Sequence, residues 1–193
     1  MNKSSEIKDN KNGNNLLSSN LENNNKAFFK IFYDYDKHIY YLIDLGIGYG
    51  TFYKIEEDIA IKENSIINIG ESYLIFSFRQ NYADNEEKIN EDDLYLKIYS
   101  NEREYDLIIL PATNDTIYQI GRSDKCDIYI KDRMLSRIHC ILFYIDNNWY
   151  IKDGNENGNE STNGTWLYAN EETEILEGMR FKSNSCNFYC KFQ

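Results

Sequence analysis

The sequence is poor in positive charge, in histidine and in long apolar runs. Its 193 residues carry 21 Lys and Arg against 32 Asp and Glu, a net charge of −11. Nucleic acid and anionic membrane both demand a cationic surface, so neither is expected as a partner, although one local basic pocket is still allowed. No apolar run approaches the ~20 residues needed to span a membrane. There is one proline, Pro111, and only two histidines, His38 and His139. No cysteine lies at a zinc-like spacing from His38, and no metal and no cofactor is expected. The four cysteines, Cys126, Cys140, Cys186 and Cys190, follow a polar, Asn-rich start rather than a secretory leader. That predicts a reducing, intracellular setting, nuclear or cytoplasmic, with free thiols.

What the chain does have is aromatic residues: 17 Tyr and 10 Phe, in a chain that is 41% hydrophobic. Both side chains favour strands. Residues 1–26 are Asn, Ser and Lys with little to bury, and read as a disordered leader. Short runs rich in Tyr, Phe and Ile begin at Ala27: Phe28 to Tyr35, Ile39 to Asp44, Thr51 to Ile55, Ile66 to Ile69 and Tyr73 to Phe78. Asn81 to Asp93 is charged and reads as a linker. Eight further runs follow between Leu94 and Phe192. Nothing reads as a helix of any length, so the expected class is an all-β sandwich of mostly antiparallel strands. The expected division is a leader over 1–26, a partial β unit over 27–80, a linker over 81–93 and a complete domain over 94–193.

The two strand-rich stretches look like a partial internal repeat. Tyr41-Leu42-Ile43-Asp44-Leu45-Gly46 is similar to Tyr150-Ile151-Lys152-Asp153-Gly154, and Gly50-Thr51-Phe52 to Gly164-Thr165-Trp166. Half a sandwich leaves an apolar face to be covered. Residues 27–80 are therefore expected to pack on the C-terminal domain or on another copy, as a possible homodimer.

Three short elements fall between the later strands: Gly121-Arg122-Ser123, Ser136-Arg137-Ile138-His139 and Thr162-Asn163-Gly164-Thr165. Loops carried on a rigid scaffold are the usual place for binding residues. A phosphate dianion offers about two negative charges and three acceptor oxygens. Arg brings planar, fork-like donors and a Ser or Thr hydroxyl brings a short neutral one. Arg122 or Arg137 taken singly reads as an ordinary surface arginine. Taken in order with Ser136, His139 and Asn163, the pair points to a phosphate.

This ordered set resembles the forkhead-associated (FHA) domain family: Gly-Arg, then Ser-x-x-His, then Asn-Gly. Cys126-Asp127-Ile128 and Leu135 are similar to the family as well. The resemblance covers about residues 92–193. It implies an FHA β-sandwich that binds phosphothreonine-containing proteins as a non-catalytic adaptor. By resemblance, Arg122 and Ser136 contact the phosphate, Arg137 and Thr162 add contacts, and Asn163 binds the peptide backbone. His139 supports the loops, and Gly121 and Gly164 shape them. A phosphate-independent interaction module on the same scaffold is the alternative.

Other features of the sequence carry plainer readings. Ser136 as a nucleophile would need a base, and His139 already has a structural role. Cys186 and Cys190 would share a strand face and pack there. Gly46-Ile47-Gly48-Tyr49-Gly50 precedes a strand rather than a helix, which argues against a nucleotide loop. Asp153 to Gly158 imitates the start of a calcium loop, but Gly164 stands where the closing Glu is required. The first stretch is similar to the later strands of an FHA domain, with Tyr49 where the family has Asn, so no second phosphate pocket is expected there. The loop from Gly154 to Ser161 is long and acidic. Asp153, Glu156 and Glu160 are expected to repel phosphate or to select a basic peptide. Met134, before Leu135, bears on the choice of peptide.

Overall fold

A computed structural model describes residues 27–78, 92–100, 103–114 and 116–192. The leader expected over 1–26 and all but the last two residues of the expected linker lie outside them. Every regular element among the described residues is a strand. The first stretch gives β1 (Phe29–Asp34), β2 (Ile39–Asp44), β3 (Thr51–Lys54), β4 (Ile59–Ala60), β5 (Ile66–Ile69) and β6 (Ser72–Phe78). The second gives β7 (Leu94–Ser100), β8 (Arg103–Leu110), β9 (Ile117–Gly121), β10 (Ile128–Tyr129) and β11 (Cys140–Ile145). It continues with β12 (Asn148–Asp153), β13 (Thr165–Tyr168), β14 (Thr173–Glu174), β15 (Arg180–Ser183) and β16 (Cys186–Tyr189).

Local chemistry accounts for the ends of these strands. Between β11 and β12 the chain reverses over Asp146 and Asn147, at φ 49° and 58°. A two-residue turn with both residues left-handed matches the twist of its flanking strands, and Asn and Asp tolerate that region well. The turn pins Ile145 opposite Asn148, and the register then runs back to Cys140 opposite Asp153. Along β6, buried and half-buried residues alternate, as a strand with one covered face requires.

The strands group into two compact units, divided after Tyr53 and after Leu167. The larger unit, Lys54–Leu167, contains one sheet of order β10-β9-β11-β12-β4 and one of order β13-β5-β6-β7-β8. Its core gathers Ile67, Ile69, Leu74, Phe76, Leu94, Leu96, Ile120, Leu142, Trp149 and Ile151. Trp149 is 1% exposed, and its indole donates to the Asp92 carbonyl at 2.8 Å, so its one polar atom is satisfied. The smaller unit combines the chain up to Tyr53 with the chain from Tyr168. It contains the sheet β1-β2-β14 and the strands β3, β15 and β16 in adjacent order. Phe29, Leu42, Ala169, Ile175, Met179 and Phe181 form its core. Phe29 meets Phe181 edge-on at 5.2 Å, and Phe181 stacks on Phe188 at 4.6 Å.

The expected blocks 27–80 and 94–193 are not how the strands assort. β4 pairs with β12, β5 with β13 and β6 with β7, so three strands of the first stretch lie in sheets of the second. Conversely, β14 pairs with β2 and β15 with β3. The apolar face of β5 and β6 is thereby covered within the chain, without a second copy. Three strands were not expected from sequence. β4 and β14 are two residues each, and β8 opens with charged residues that break the alternating pattern.

Candidate functional site

Two loops of the larger unit lie backbone to backbone. The Arg122 amide donates to the Ser136 carbonyl at 3.1 Å, and the Ser123 amide to the Arg137 carbonyl at 3.2 Å. Gly121 makes this approach possible: a Cβ there would stand 2.2 Å from the Arg137 oxygen. The Arg122 backbone is thus bonded to Ser136, and Arg137 follows Ser136 in the chain. Both guanidiniums are exposed, and neither pairs with a carboxylate among the described residues.

His139 fastens the second loop. It is fully buried, at 0% exposure. Its Nδ1 accepts from the Ser136 amide at 3.1 Å, and Nε2 sits 3.1 Å from the Gly164 carbonyl. An amide can only donate and a carbonyl can only accept, so these partners require a neutral ring with its proton on Nε2. One side chain therefore ties Ser136 to the third loop.

That third loop brings the remaining residues. The Thr162 amide donates to Ser136 Oγ at 2.9 Å, and Ser136 Oγ lies 3.2 Å from Thr162 Oγ1. Asn163 is exposed, and its Nδ2 donates to the Met134 carbonyl at 2.7 Å. Trp166 donates its indole N–H to the Asn163 carbonyl at 2.8 Å. Gly164 sits at φ +78°, a conformation that favours glycine. All eight residues singled out from the sequence, Gly121, Arg122, Ser136, Arg137, His139, Thr162, Asn163 and Gly164, come together in these three loops.

The acidic loop is folded on itself. Asn155 Oδ1 accepts from the Asn157 and Asn159 amides at 3.0 and 3.1 Å. Each of its suspect acids has a partner. Asp153 accepts from the Ser161 amide and from the hydroxyls of Ser161 and Thr165, at 2.9, 2.7 and 2.6 Å. Glu156 accepts from Gln119 Nε2 at 2.9 Å, and Glu160 pairs with Lys54 Nζ at 3.0 Å.

Sequence reasoning missed several supports. Asp132, 8% exposed, accepts from the Glu71 amide at 2.8 Å, from Ser72 Oγ at 2.9 Å and from the Met134 amide at 2.8 Å. Lys54, Glu71 and Ser72 come from the first stretch, far from the three loops in sequence. The short-range Asp132-to-Met134 bond has a local signal, an Asp two residues before an amide. Cys126 donates to the Arg137 carbonyl at 3.1 Å, and burial pushes its thiol up. Burial likewise raises the Cys140 thiol, so neither is primed as a nucleophile.

The FHA domain family model matches residues 118–184, an interval that holds every residue of the three loops. No curated protein and no solved structure matches the chain. FHA domains are in general protein-interaction modules that bind phosphothreonine, and they are not enzymes. Among the described residues, no helix is long and apolar enough to cross a membrane. On its three loops, its all-β sheets and the family match together, residues 118–184 of the chain are similar to the FHA domain family.

Proposed function

We propose that the chain docks phosphothreonine-containing proteins through Arg122, Ser136, Arg137, Thr162 and Asn163. One observation carries this reading: two exposed arginines, neither paired with a carboxylate among the described residues, stand on the loops that hold a Ser–Thr hydroxyl pair, and a buried histidine locks the Ser136 backbone. A phosphate entering there takes charge-assisted bonds from both arginines, with no carboxylate among the described residues to displace. The Ser136 and Thr162 hydroxyls turn from each other to the phosphate oxygens. Asn163 exchanges its bond to the Met134 carbonyl for one to the peptide main chain.

Binding to a phosphothreonine peptide library tests this. The Arg122→Ala variant should lose ~2–3 kcal/mol, about 30- to 150-fold in affinity. The alternative is docking without phosphate, which is favoured by the bond that already occupies Asn163. Equal binding of phosphorylated and unphosphorylated peptides would establish that alternative.

A further inference from the structure

The repeat is preserved in many of its bonds. The Asn64 amide donates to the Phe76 carbonyl, and the Gly178 amide to the Cys190 carbonyl, both at 3.0 Å. The Phe78 amide donates to Glu63 Oε2, and the Phe192 amide to Glu177 Oε2, both at 2.6 Å. Ile69 stands opposite Ser72 as Ser183 stands opposite Cys186. The Ile61 amide reaches the Trp149 carbonyl as the Ile175 amide reaches that of Tyr40. Residues 54–78 and 168–192 are therefore equivalent closing sets of strands. Yet each closes the other copy: β4 and β5 pair with β12 and β13, while β14 and β15 pair with β2 and β3. The chain changes units at equivalent points of the two copies.

The turns of the two sets differ where one of them meets the pocket. Between β5 and β6 the turn is Gly70-Glu71-Ser72, and Asp132 accepts from Glu71 N and Ser72 Oγ. Gly70 has φ +55°, and a Cβ there would lie 2.8 Å from Asp132 Oδ2 and 2.9 Å from Met134 Cβ. The equivalent turn reads Asn184-Ser185-Cys186. Asn184 carries a side chain where Gly70 leaves no room for one, and Cys186 puts a weak thiol donor in place of the Ser72 hydroxyl. In its own place Asn184 is well used, accepting from the Tyr49 amide at 3.0 Å.

We propose that Gly70 and Ser72 are positioning residues of the pocket: acting through Asp132 they seat the Asp132-to-Ser136 loop, and their fit there decides which closing set the pocket-bearing unit takes. Asp132 relays the contact, since its other oxygen orients Met134, whose carbonyl holds Asn163. The affinity part of this inference rests on the phosphothreonine reading; the choice of strand set does not.

Disulfide trapping in the full chain tests the choice. Ala60 is registered opposite Tyr150, and its equivalent Glu174 opposite Tyr41. With cysteines placed at 60, 150 and 41, mild oxidation and peptide mapping should find the 60–150 bond within one chain. Adding Gly70→Asn, Ser72→Ala, Asn184→Gly and Cys186→Ser transfers the fitted turn to the second set, and should shift the trapped bond at least tenfold toward 41–60. A 41–60 bond that dominates before these changes, or a ratio unmoved by them, overturns the proposal.

The milder Ser72→Ala and Asp132→Asn variants guard against misfolding. Each should lower phosphopeptide affinity about fivefold, and the double variant should lose no more than Asp132→Asn alone. Unchanged affinity, or fully additive losses, would remove the positioning role. Should the unsubstituted protein bind no phosphothreonine peptide, the functional reading fails while the trapped bond still reports the strand choice.

Discussion

Ser136 and His139 are joined by a 3.1 Å bond from the Ser136 amide to the ring Nδ1, and the opposite nitrogen lies 3.1 Å from the Gly164 carbonyl. A buried ring thus supports a serine whose hydroxyl stays in reach of solvent. Replacing His139 with Ala strands a part-buried amide and a buried carbonyl and leaves a void. We expect a loss of about 2–4 kcal/mol in denaturant unfolding, together with weaker phosphopeptide binding.

Arg137 offers the contrasting case. Its exposed side chain has no ion pair among the described residues, so Arg137→Ala should change stability by less than about 0.5 kcal/mol. Affinity for a phosphothreonine peptide should fall all the same. Because the lost term is charge on charge, the gap between wild type and variant should narrow as salt is raised. Titration calorimetry at two ionic strengths checks both statements.

Gly121→Ala should damage stability and binding together. The added carbon would stand 2.2 Å from the Arg137 carbonyl, and the obstacle is backbone rather than a movable side chain. The two loops must part, breaking the bonds from Arg122 and Ser123. A cost of about 1–3 kcal/mol, the range for forced overpacking, is expected in chemical denaturation.

In the smaller unit, desolvation pushes Lys182 down from 10.5 to about 8. The folded state then binds fewer protons than the unfolded one between these values, so stability should rise with pH from about 8. Above pH 9 the rise is opposed by Cys190, raised from 9.0 to about 11 by burial and Glu177. Above pH 10 Tyr168 opposes it too, raised to about 12 by burial and by Asp44, which accepts its hydroxyl at 2.6 Å. Lys182→Met should remove the rise between pH 8 and 9, as thermal unfolding across that window would show.

Most of the strands, all but β4, β8 and β14, and the residues that the three loops carry were legible along the chain. Tyr, Phe and Ile at alternating positions, cut by Asn, Asp and Gly, specify extended segments locally, and Gly-Arg, Ser-x-x-His and Asn-Gly are read in order along one chain. The sequence did not determine which strands pair. The closing sets 54–78 and 168–192 present the same register and the same backbone bonds, so alternation along the chain does not choose between them. Nor did it reveal Asp132, whose partners Glu71 and Ser72 lie 61 and 60 residues away. Tertiary structure decided both, because a buried carboxylate needs donors at close range, and at Gly70 only a residue without a Cβ leaves that carboxylate room.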